Sequence, residues 1–302
     1  MAGWKAKASM TPRDILLALT VPVIWGLSFI AIRWGVDEVS PLLLTAVRYL
    51  FAALPAVFFV RRPAVDWRIL VGYGLAIGVG QFGLLFLAIK LGMPAGLSSL
   101  VIQLQVFFTI LFAFAMFGER PNGWQIAACL IAFGGIGVIA LERLEGAALL
   151  PLLLTVVAAV SWGLGNMAGK KAGRIDMVGL IVWSALVPPL PLLAASLLFE
   201  GAGAIPAAIE HITWRGVGSI AFMSYVATIF GFSVWASLLS RYSASQVSPF
   251  ALLIPVIGIA ASGVLLGERI TAFEIAGGVL VFAGLLVNVF GPRLLRPAVR
   301  AG

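Results

Sequence analysis

The chain has 302 residues, of which 62% are hydrophobic and 11% charged, and its mean hydropathy is +1.10. A water-soluble domain of that length needs far more polar surface to cover its core, so a soluble fold is excluded. The formal net charge of +8 lies in short pieces between apolar runs rather than on one face, which argues against a nucleic-acid partner.

In chain order, apolar runs predict ten transmembrane helices over approximately 13–32, 42–60, 69–90, 95–117, 124–141, 149–169, 177–199, 215–239, 245–266 and 272–290. The runs are continuous, without the alternation of an outer-membrane barrel, so the fold class is all-α and the protein's surroundings are the lipid bilayer. Comparable runs follow the first to the end of the chain, so it does not read as a cleaved signal peptide. Cys129 sits inside an apolar run and reads as a small buried hydrophobe. The single histidine, His211, falls in a polar loop around Glu200–Trp214, which leaves no His-based metal site within the membrane and no expected cofactor.

Loop charges set the orientation. With the N-terminus inside, the cytoplasmic segments hold fourteen basic residues: Lys5, Lys7, Arg13, Arg61, Arg62, Arg68, Arg120, Lys170, Lys171, Arg174, Arg241, Arg293, Arg296 and Arg300. The other side holds five: Arg33, Lys90, Arg143, Arg215 and Arg269. Both termini are therefore expected in the cytoplasm, in the inner membrane of a bacterium.

The chain also resembles itself. Trp25-Gly26 matches Trp162-Gly163 at an offset of 137, and Gly118-Glu119-Arg120 matches Gly267-Glu268-Arg269 at an offset of 149. Two units, 1–145 and 146–302, hold five spans each, and an odd number makes the second insert upside down. Inverted repeats of this kind are a construction of secondary transporters, whose halves open alternately to either side.

Polar groups inside the bilayer need a partner or a watered cavity, so each is informative. Arg48 is the one charge well inside a span; it either snorkels to the nearby surface, pairs structurally, or meets a substrate carboxylate. Gln81, Gln103, Gln105 and Asn166 are amides that serve a zwitterion or bond between helices. Gln103 and Gln105 stand about 200° apart on a helix and cannot share one cavity; Gln105 shares a face with Thr109. Trp162 and Asn166 share a face, and Trp25 with Trp162, as repeat equivalents, suit opposite walls of a central cleft or ordinary core packing. The candidate substrate-binding set is Trp25, Arg48, Gln81, Gln105, Trp162 and Asn166.

Gly78, Gly80 and Gly83 spell a dinucleotide fingerprint, but inside an apolar helix with no strand before it, so that reading fails. Gly74/Gly78 and Gly165/Gly169 read instead as close helix contacts, within one chain or in a homodimer. Glu119 and Glu268 read as turn or surface residues. No Asp or Glu lies near mid-span, which leaves an intramembrane enzyme without its acid, base or nucleophile.

Several stretches in order carry a resemblance: VIWGLSFIAIRWG from Val23, RYLFAALPAVFFVRRP from Arg48, GMPAGLSSLVIQLQVFFTIL from Gly92, FGER at Phe117, VSWGLGNMAGKK at Val160 and SRYSASQVSPFALLIPVIGIA from Ser240. Together they resemble the EamA family of the drug/metabolite transporter superfamily. The resemblance covers essentially the whole chain and implies two inverted five-helix units around a central cavity. It also implies export of small polar metabolites such as O-acetylserine and cysteine. A second reading keeps the fold and changes the cargo to aromatic amino acids, drugs or another amphipathic solute, and neither the residues nor the resemblance fixes the coupling.

Overall fold

The computed structural model describes residues 10–143, 149–173 and 175–294, with the side chains of 143, 244, 245 and 292–294 left aside. Lys5, Lys7, Arg174, Arg296, Arg300, the side chains of Arg143 and Arg293, and the 145/146 unit boundary therefore lie outside the described residues. Within them every element is helical and ten helices are long and apolar enough to span a membrane. They are α1 (Pro12–Glu38), α2 (Pro41–Phe58), α3 (Trp67–Lys90), α4 (Ala95–Phe117), α5 (Gly123–Glu142), α6 (Leu149–Ala172), α7 (Met177–Phe199), α8 (Trp214–Arg241), α9 (Ser248–Leu266) and α10 (Ala272–Gly291). Leu130, Leu190, Leu198 and Val264 are among many large apolar side chains left on the outside. In water such a surface would aggregate; facing acyl chains it costs nothing.

The loop before α8 differs from expectation. It contains a short helix, Ala204–His211, and His211 closes it. Ala204, Ala208 and Ile212, spaced by four, pack against the main core, so an apolar stripe holds a turn-rich segment helical.

Helix starts explain how the ends are tied. The first N–H groups of a helix lack internal partners. On the face where α1 ends, the distal face, three carboxylates supply them from neighbouring helices. Glu200 accepts from Leu42 and Leu43 N–H at 2.7 and 3.2 Å. Glu268 accepts from Ala95 and Gly96 N–H at 2.7 and 3.0 Å. Glu38 accepts from Thr213 and Gly216 N–H at 2.9 and 3.1 Å. Neither α2 nor α4 has a capping side chain of its own, so the borrowed carboxylate serves both the dipole and the orphan donors.

The proximal face, where α1 begins, is tied by side chains instead. Tyr242 donates to Asp14 at 2.6 Å, and Arg241 pairs with the same carboxylate at 2.8 Å, clamping α8 to α1. Lys170 of α6 pairs with Glu119 beyond α4.

Small residues let the helices approach, as they must where lipid is as apolar as leucine. A Cβ on Gly26 of α1 would stand 2.7 Å from Ile257 of α9, and one on Gly163 of α6 would stand 3.0 Å from Phe108 of α4. Gly74 and Gly78 of α3 press on Val187 and Pro188, and Gly165 of α6 presses on Ile77. These glycine faces are thus used inside the chain. α5 and α10 run antiparallel with reciprocal contacts: Gly135 meets Gly277 and Gly284 meets Ala128. At the 149-residue offset, Gly277 is the counterpart of Ala128 and Gly284 that of Gly135.

Candidate functional site

Seven of the ten spans wall a central cavity of about 60 Å³. Its lining includes Trp25, Ser28 and Phe29 from α1, Arg48 from α2, Gln81 and Phe82 from α3, and Gln103 from α4. Trp162 from α6, Met223, Ala227 and Phe232 from α8, and Ile254 from α9 also line it. At about 10–15 Å³ of such volume per water, it holds roughly four to six waters, so a solute of amino-acid size needs the helices to move.

Backbone irregularity brings these residues together. α3 is π-helical over Leu75–Gly83 and α8 over Phe222–Phe230, and both segments face the cavity. A π turn widens the helix and is concentrated at functional positions. Gln81 rides on the first; on the second, the Ala227 carbonyl accepts from the Trp25 indole N–H at 3.0 Å. The Trp25 ring is further held by Phe232 and Trp235, with centroids 5.0 and 5.5 Å away.

Arg48 is 3% exposed and does not snorkel. Its guanidinium lies over Phe82, 3.8 Å from the ring centroid, and donates to Thr228 Oγ1 at 3.0 Å. Ser224 donates to the Arg48 carbonyl at 2.9 Å, pinning α2 to the π turn of α8. Among the described residues no carboxylate comes within ion-pair distance of Arg48, and its Nε is buried without a partner. Gln81, also 3% exposed, has an equally unpartnered Oε1. Stacking on an aromatic face offsets part of the cost of burying the cation, and the open hydrogen-bonding positions remain.

The structure therefore brings Trp25, Arg48, Gln81 and Trp162 to one cavity and separates Gln105 and Asn166 from it. Asn166 Nδ2 donates to Gln105 Oε1 at 2.8 Å and to Thr109 Oγ1 at 2.9 Å, a knot joining α6 to α4. In place of Gln105, the cavity takes Gln103, whose Nε2 lies a long 3.4 Å from the Ala251 carbonyl. The 3₁₀ turn over Ile102–Leu104 sits at this point. The 200° between the two amides was enough to exclude one of them; it did not say which.

On the distal face, the ends of α1, α8 and α9 border a polar basin of about 550 Å³, lined by Arg33, Asp37, Arg215, Glu268 and Arg269 among others. Arg33 and Asp37 pair within it at 3.2 Å.

Ten apolar helices, seven of which wall a small cavity beside a buried cation, make this a multi-pass membrane protein. The EamA-like transporter family matches it twice, over residues 13–141 and 149–290, and the chain belongs to that family. A Salmonella typhimurium protein named "Probable amino-acid metabolite efflux pump" is 46% identical over 97% of this chain and 100% of its own length. A protein of the same name from Escherichia coli is 43% identical over the same shares. A "Probable terminal-alkyne amino-acid exporter" of Streptantibioticus cattleyicolor is 28% identical over 90% of this chain and 91% of its own. A solved crystal structure, 19% identical, superposes with a TM-score of 0.64 over 95% of this chain and 99% of its own, which is a likeness of fold.

Proposed function

We propose that this protein exports small amino-acid metabolites, O-acetylserine and cysteine among them, across the bacterial inner membrane by alternating access. The end-to-end identity with two proteins named as amino-acid metabolite efflux pumps carries the reading. The cavity fits it, because a buried guanidinium without a counter-ion suits a solute that brings a carboxylate.

Alternation rests on two inverted halves, 1–145 and 146–302. The double family match and the reciprocal, antiparallel packing of α5 on α10 support it. The proximal face carries Arg13, Arg61, Arg62, Arg68, Arg120, Lys170, Lys171 and Arg241, which supports placing it, with both termini, in the cytoplasm. The cycle then releases the Asp14–Tyr242–Arg241 clamp when the cytoplasmic side opens, and the carboxylate caps when the distal side opens.

The aromatic wall favours a second reading of the cargo. Trp25, Phe29, Phe82, Trp162 and Phe232 suit amino acids with apolar side chains at least as well as polar ones.

Uptake of radiolabelled O-acetylserine and cysteine into inverted vesicles, with and without a pH gradient, tests the proposal. Saturable accumulation above vesicles lacking the protein is expected. Movement only of aromatic or cationic members of a solute panel would overturn the cargo.

A further inference from the structure

The cavity wall leaves two hydrogen-bonding positions open, and they have opposite sense. Arg48 Nε is a donor on a cation; Gln81 Oε1 is a neutral acceptor. Both side chains are 3% exposed and both belong to the cavity lining. They share one cavity, and Arg48 stacks on Phe82, the residue next to Gln81 in the chain. No Asp or Glu is among the lining residues.

A buried group left unpaired costs its full desolvation, and a ligand that pairs it recovers that cost. We propose that Arg48 receives the α-carboxylate of the exported solute and Gln81 Oε1 receives its α-ammonium, so that the site selects zwitterions end by end. This rests on the exporter reading above and adds a polarity to it. The carboxylate lies toward α2, the ammonium toward the π turn of α3, and the side chain among Trp25, Trp162 and Phe232.

The two ends do not contribute equally. Carboxylate on guanidinium is a charge-assisted pair in a site that water leaves, whereas ammonium on an amide oxygen joins a charge to a neutral dipole. A solute with its carboxylate blocked also brings a second cation against Arg48, with no wall carboxylate to relieve it. Blocking the carboxylate must therefore weaken binding more than blocking the amine.

The test is competition against labelled O-acetylserine uptake in inverted vesicles, using L-cysteine, L-cysteinamide and N-acetyl-L-cysteine as matched competitors. L-cysteine competes best; the N-acetyl compound is weaker by about tenfold, and the amide by about a hundredfold, as expected for a hydrogen bond to a charge and for a buried charge pair. Gln81→Leu brings L-cysteine and its N-acetyl derivative to the same potency while the amide stays weak. Arg48→Lys retains the preference of acid over amide, and Arg48→Gln abolishes it; these ratios do not depend on how much protein folds. Equal competition by all three compounds in the wild type, or an amide stronger than the N-acetyl compound, overturns the assignment and leaves the exporter reading standing. Absence of any O-acetylserine uptake overturns both.

Discussion

Two amide-bearing regions of the membrane interior look alike in sequence and differ in their hydrogen bonds. At the α4–α6 contact, Asn166, Gln105 and Thr109 satisfy one another within 2.9 Å. At the cavity, Gln81 Oε1 and Arg48 Nε have no hydrogen-bond partner among the described residues. The first arrangement is completed by the fold, and on the proposal above the second is completed by the solute. On that proposal, a buried polar group of the cavity wall serves function where its partners are missing, whereas the amides of the knot serve architecture.

Substitutions can break this contrast or sharpen it. The largest effect belongs to Arg48→Gln, which lowers transport per folded molecule by at least about thirtyfold, as for loss of one partner of a buried charge pair. Vesicle uptake normalised to monodisperse protein on size exclusion measures it, and near-normal uptake would give Arg48 back to a structural role. Gln81→Leu comes next, with about a tenfold loss of uptake and no loss of thermal stability, because an unpaired amide oxygen is replaced by an apolar group. A clear fall in melting temperature would show that Gln81 holds the bundle.

Asn166→Leu acts the other way. It leaves uptake per folded molecule intact and lowers stability by about 0.6–1.7 kcal/mol, the range for hydrogen bonds between membrane helices. Thermal melts in detergent check this, and an unchanged melt with lost uptake would move the knot into the transport path. Lys170→Ala is the smallest: this exposed pair with Glu119 contributes at most about 1 kcal/mol, and high salt should erase the difference in melting.

Much of the fold was legible because membranes permit few backbones. Ten apolar runs of sufficient length leave helices as the solution, and the WG and GER repeats align the halves. Gly118 and Gly267, with φ of 70° and 67°, end α4 and α9 in the left-handed conformation that glycine favours. Arg48 and the tryptophans stood out because such residues are rare there. Which amide of α4 meets the cavity was not legible, since it depends on the helix's rotation, set by Gly96 against Ser262 and Gly258 against Ser99 across α4 and α9. The π turns left no sign either, because they are a choice of backbone partner rather than of side chain. The Ala204–His211 helix did leave one, in the spacing of Ala204, Ala208 and Ile212, which the polar setting obscured.

The central claim is that the solute meets the unpaired groups of the cavity and not the paired amides of the knot. Uptake of labelled O-acetylserine by Gln81→Leu and Gln105→Leu, measured side by side per folded molecule, tests it most directly. The account predicts a loss of about tenfold in the first and wild-type uptake in the second. Wild-type uptake in the first with loss in the second would contradict it and place the transport path along α4 and α6.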